Sequence, residues 1–196
     1  MRTIIFSLLV LLAACNEVEK KPSTEKPTSQ SKHSESFNNS VENSLQAYDQ
    51  LAEAFVQWDS VSIPRLAIEF KQTLEKIDTS LAKGESARLT TVKRELTTIE
   101  GSHSLQTKRQ ALNILSDHLF QYLNSVQYDK RELFLQECPM AFNDTESGLW
   151  ISGADSIRNP YLGMHHPKYK SGMLKCGDNK DRINYTGIEA KDEQEK

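Results

Sequence analysis

Sulfur is scarce in this chain and confined to one place. Three cysteines and four methionines occur in 196 residues, and outside the stretch from Cys138 to Cys176 only Met1 and Cys15 carry sulfur. The short motifs of common enzymes are missing too. There is no HExxH, CxxC, Gly-rich phosphate loop or Ser-His-Asp ordering, so the chain reads as a binding protein and not an enzyme. A basic surplus is also lacking: 24 Lys and Arg stand against 27 Asp and Glu, for a net charge of −3. Nothing here neutralises a run of phosphates, which excludes nucleic acid as a partner. One apolar run exists, Ile4 to Ala14, and it is too short to span a bilayer. No internal repeat appears, and the length and 37% hydrophobic content fit one compact domain with polar tails.

What is present begins with that apolar run. Arg2 supplies a positive start, and LLAAC at 11–15 has the form of a lipobox. The expectation is a lipoprotein signal peptide over 1–14, cleavage before Cys15, and acyl chains on the Cys15 sulfur as the membrane anchor; an ordinary secretory signal is the alternative. Asn16, where Asp would favour the inner membrane, leans toward the outer membrane, facing the periplasm. Residues 16–37, NEVEKKPSTEKPTSQSKHSESF, offer almost nothing to bury and cannot offset the entropy of ordering, so 15–37 reads as an anchor and disordered tether. Extended, it would reach on the order of 70 Å.

From 38 to 180 the pattern is that of a folded domain. Asn39 and Glu42 have capping-box spacing, followed by Leu45, Tyr48, Leu51 and Phe55 at helical intervals to about Trp58. After an Asp59–Ser62 turn with Pro64 in the first helical turn, Leu66, Phe70, Leu74, Ile77 and Leu81 stripe a second helix, stopped at Gly84. Leu89, Val92, Leu96 and Ile99 mark a third, and Leu112, Leu115, Leu119, Tyr122 and Val126 a fourth. The expected fold class is mainly α, an up-down-up-down four-helix bundle. Glu132–Cys138 and GLWIS at 148–152 then read as a small β-hairpin across the turn NDTES. A loop-rich Cys/Met segment follows, with 181–196 a polar, frayed tail. His33, His103 and His118 fall at tether, loop and stripe-edge positions and read as incidental.

Cys138 to Cys176 concentrates the chemistry. It holds Cys138, Met140, Met164, Met173, Cys176 and the pair His165–His166. Thiolate, thioether and imidazole are the donors that select soft ions such as Cu(I) and Ag(I). The candidate metal ligands are Cys138, Met140, Met173 and Cys176, with His165 and His166 ranked after the sulfurs. The opposing reading is structural: two cysteines in an exported protein commonly form a disulfide, here Cys138–Cys176. Both stay open at this stage. The bundle stripes supply the apolar burial, so no metal is required for folding. Asn159-Pro160 is a turn signal, with Arg158 set to fork onto loop carbonyls or a carboxylate such as Asp155.

CPMAF at 138–142, Trp150, Ser152, IRNPY at 157–161, Gly163 and GMLKCG at 172–177 resemble the signature of a bacterial envelope domain. That domain occurs as a stand-alone lipoprotein or fused to periplasmic adaptors of CusB-type copper and silver efflux pumps. The resemblance spans roughly residues 40 to 180. It implies a metal-handling lipoprotein linked to efflux or homeostasis, with an efflux adaptor or other envelope protein as partner. A disulfide-stabilised interaction domain without metal is the alternative it leaves. MHHPKYKS at 164–171 interrupts the usual pattern, so His165 and His166 are not carried over from the family.

Overall fold

A computed structural model describes residues 31–81 and 84–187. The signal peptide, Cys15 and the tether up to residue 30 lie outside the described residues. Four helices come first: α1 (Glu35–Val56), α2 (Ser62–Leu74), α3 (Ser86–Gly101) and α4 (Leu105–Ser125). Then come β1 (Leu133–Phe142), β2 (Glu146–Ser152) and β3 (Asp178–Ile183). The mainly α architecture is as the periodicity predicts, and the stripe residues that lie within each helix are buried. Consecutive helices pack on one another, and β2 lies against α4. Among the described residues no helix is long and apolar enough to cross a membrane.

Three boundaries differ from expectation, each for a physical reason. α1 begins at Glu35, capped by Ser34, whose Oγ accepts from the Phe37 N–H at 3.2 Å. Asn39 and Glu42 therefore lie inside the helix, not at a capping box. The extra turn is held because Phe37 and Asn38 are buried and because Ser31 Oγ and the Lys32 N–H both donate to the Asp129 carboxylate, at 2.6 and 2.9 Å. α2 stops at Leu74, ten residues before Gly84. Its end tightens through bonds from Lys76 N to Thr73 O and from Ile77 N to Leu74 O. Asp78 then accepts from Ser80 N at 2.9 Å and opens a 3-10 turn, Thr79–Leu81. Ile77 is buried all the same, so the stripe outlasts the helix that suggested it.

The third difference is the sheet. The expected hairpin is present as β1 and β2, but Asp178–Ile183, read as loop and polar tail, forms a further antiparallel strand on the other side of β1. The burial pattern along β3 is almost wholly exposed, and only Ile183 enters the core. That is why hydrophobic patterning missed it. β1 becomes the central strand, buried on both faces: Leu133 and Leu135 point one way, Gln136 and Cys138 the other. The outer edge of β2 is closed by helix side chains. Leu149 N donates to Asn113 Oδ1 and Ile151 N to the Tyr48 hydroxyl, both at 2.8 Å, which removes an edge that would otherwise template pairing.

Candidate functional site

The sulfur-rich segment begins in β1 and returns to it through β3. Cys138 sits opposite Gly148 in the β1–β2 ladder, wholly buried. Cys176 ends a tight turn, Cys176 N bonding Met173 O at 3.0 Å, just before β3. Because β3 pairs with β1, the turn is delivered beside Cys138. The Cys176 thiol is near enough to push the Cys138 thiol up, and both thiols are free. Gly177 permits the close approach: its φ is +142°, and a Cβ there would stand 2.6 Å from Glu137 O and 3.0 Å from the Trp150 ring. A side chain at 177 would push the Cys176 turn off the sheet.

Asn159 organises the site, and it is fully buried. Its backbone N–H donates to Leu174 O at 2.8 Å, and its amide nitrogen to Cys176 O at 2.8 Å and to the Cys138 sulfur. Its Oδ1 accepts from Tyr161 N and Leu162 N, at 2.8 and 3.0 Å. One side chain thus joins the strand, the IRNPY turn and the Met-Leu-Lys-Cys turn. The sequence signals a turn at Asn159-Pro160; that the Asn faces the thiols depends on contacts between residues up to twenty-one positions apart, which no local signal encodes.

Burial is the main influence on Cys138 and pushes its thiol up, while hydrogen bonds from the Met140 N–H and the Asn159 amide pull it down. The net direction is upward, so the protonated form is favoured until something binds the sulfur. Met140 lies two residues beyond Cys138 in β1, and Met173 opens the turn that Cys176 closes; both are half-buried against the core. Among the described residues no group of three or more His, Cys, Asp or Glu stands ready to hold a metal ion. Any metal held here depends on two thiolates helped by thioethers, a soft donor set that suits a monovalent coinage ion and not Zn, Ca or Mg.

The histidines are placed differently. His165 is exposed. His166 Nδ1 accepts from Lys168 N and Tyr169 N, both at 3.2 Å. The ring stacks on Tyr169 at 4.8 Å and meets Trp58 edge-on at 5.5 Å. A ring nitrogen accepting two backbone N–H groups puts the neutral proton on Nε2, so this imidazole serves its own loop. Met164 is tied by its N–H to Val56 O at 2.8 Å. Arg158 forks onto Glu53 of α1, at 2.6 and 2.5 Å, and not onto Asp155. The partner is 105 residues away, beyond the reach of local reasoning. A cleft of about 370 Å³ lies beside this pair, lined by Asp49, Glu53, Arg131, Trp150 and Arg158 among others.

Among known families, residues 44–131 match the one described as Protein of unknown function (DUF3347). The matched span runs from α1 to the start of the sheet and stops short of Cys138. No curated protein and no solved structure matches the chain.

Proposed function

We propose that this protein is an envelope-anchored binder of Cu(I) or Ag(I), held to the membrane by acyl chains on Cys15 and serving heavy-metal efflux or homeostasis. The observation that carries it is the Cys138–Cys176 thiol pair, brought side by side by β3 with Met140 and Met173 on the same two segments. Thiolates are the strongest soft donors in the chain, and a bound ion offsets the desolvation that keeps Cys138 protonated. Cys138 is enclosed, whereas Cys176 is half-exposed, so the ion enters and leaves past Cys176. Likeness of the helical part to a family met in copper and silver efflux proteins, together with the CPMAF, IRNPY and GMLKCG motifs, supports the efflux setting and an adaptor as partner. No catalytic step is proposed.

The second reading is a disulfide-stabilised interaction domain. The same neighbourhood favours it, because two free thiols set beside each other can close to a bridge when an oxidant takes their two electrons. The bridge would seal the 138–176 loop, for a gain of about 2–4 kcal/mol. Competition titration of anaerobic, reduced protein with a Cu(I) chelator separates the two. Expected are one Cu(I) per chain, loss of tight binding in Cys138→Ser/Cys176→Ser, and affinity rising with pH as the metal displaces thiol protons. Wild-type affinity in the double variant overturns the metal reading. Thiol counting and elemental analysis on protein taken from the envelope then show which state predominates there.

A further inference from the structure

A turn closed by its first side chain needs only an acceptor there. Asn159 Oδ1 supplies it, taking the Tyr161 and Leu162 N–H groups at 2.8 and 3.0 Å, and an Asp carboxylate would do the same. What Asp lacks is a donor on the other branch of the side chain. Asn159 uses that donor outside its own turn: Nδ2 gives a hydrogen to Cys176 O at 2.8 Å, while the Asn159 backbone N–H goes to Leu174 O at 2.8 Å. One residue therefore binds two carbonyls of the turn that ends in Cys176.

The turn's own bonds shape it without placing it. Gly172, Leu174 and Cys176 donate their N–H groups to Tyr169, Ser171 and Met173 oxygens at 2.9, 3.1 and 3.0 Å, all inside the segment. Pairing of β3 with β1 fixes the chain only from Asp178 onward, opposite Glu137. The hydrogen bonds that tie the residues before Cys176 to another segment are those of Asn159, which is fully buried. Its amide also favours the Cys138 thiolate, against the burial that opposes it.

We propose that Asn159 is the positioning residue of the thiol pair, its amide nitrogen holding the Cys176 turn beside Cys138 so that the two sulfurs act as one site. The inference rests on the soft-ion reading of that pair. Asn159→Asp tests it, because the variant keeps the turn's acceptor and nearly the same shape but turns the donor into an oxygen facing Cys176 O and the thiols. In reduced whole protein labelled at cysteine, the Cβ carbon resonance of Cys138 should titrate about one pH unit higher than in wild type, a tenfold smaller thiolate fraction at a given pH. Cu(I) affinity, read by chelator competition, should fall about tenfold with it, the helical circular dichroism signal staying as in wild type. An unchanged Cys138 midpoint, or an unchanged Cu(I) affinity, overturns the assignment. If wild type itself binds no Cu(I), the metal reading falls, and the Cys138 midpoint alone decides the role of Asn159. Should the variant fail to fold, the side-chain amide resonances of Asn159 in wild-type protein decide: they move with the Cys138 titration, or the idea fails.

Discussion

Tyr48 joins three elements through one hydroxyl. From α1 it hydrogen-bonds Ser116 of α4 at 2.8 Å and accepts the Ile151 N–H of β2. Burial pushes its pKa well up, so it stays a neutral phenol throughout the physiological range. Ser116 is itself fully buried and also donates to Leu112 O. Tyr48→Phe removes no apolar contact but strands the Ile151 N–H inside the protein. It should therefore cost about 1–3 kcal/mol, as orphaned buried donors do, read as a lower urea midpoint with an unchanged slope. Gly148 is a comparable single-residue constraint: a Cβ there would stand 2.7 Å from both Ala141 Cβ and the Tyr161 ring. Tyr161 fills that space, hydrogen-bonds Leu149 O and packs on Phe142 and Trp150. The hairpin around Cys138 is thereby fixed in register.

At the scale of elements, the start of α1 depends on a neighbour far along the chain. Ser31 and Lys32 hold Asp129, His33 Nε2 lies 3.3 Å from Gln127 O, and Asn38 Nδ2 donates to Ser31 Oγ at 3.0 Å. Burial pushes the Asp129 carboxyl up, but these donors outweigh it and the net shift is downward. A depressed folded-state pKa means that the contribution is fully present above the ordinary carboxylate value of about 4 and is lost as pH falls through the lower folded value. Hydrogen exchange at 31–37 should therefore accelerate below about pH 4 while α4 stays protected. Equal acceleration in both would show that the segment is not a separate latch. β3 makes the related point. Its strand character comes from pairing with β1, and its charged, exposed residues discourage further pairing along its outer edge.

For the whole molecule, the helices and the sheet share one core, which runs from Phe37 in α1 to Ile183 in β3. The sulfur pair adds to a structure already closed by apolar burial and by the Asn159 contacts. Chelator treatment should leave the helical circular dichroism signal unchanged, with at most a lower melting point from loss of a ligand that binds only the native state. Collapse of that signal would make the metal a folding nucleus. The described ends of the chain contact α4's C-terminal side, Ser31 through Asp129 and Tyr185 through Asn124 at 2.8 Å.

The sequence by itself determined the four helical stripes, the β1–β2 hairpin, the turn at Asn159-Pro160 and the residue types available for soft-ion chemistry. Each rests on short-range periodicity or local conformational preference, which a one-dimensional pattern carries. Tertiary structure alone decided that a charged stretch becomes β3 and sets Cys176 beside Cys138, and that Arg158 reaches Glu53 and not Asp155. These depend on pairings across many tens of residues, which exist only once the chain has closed on itself.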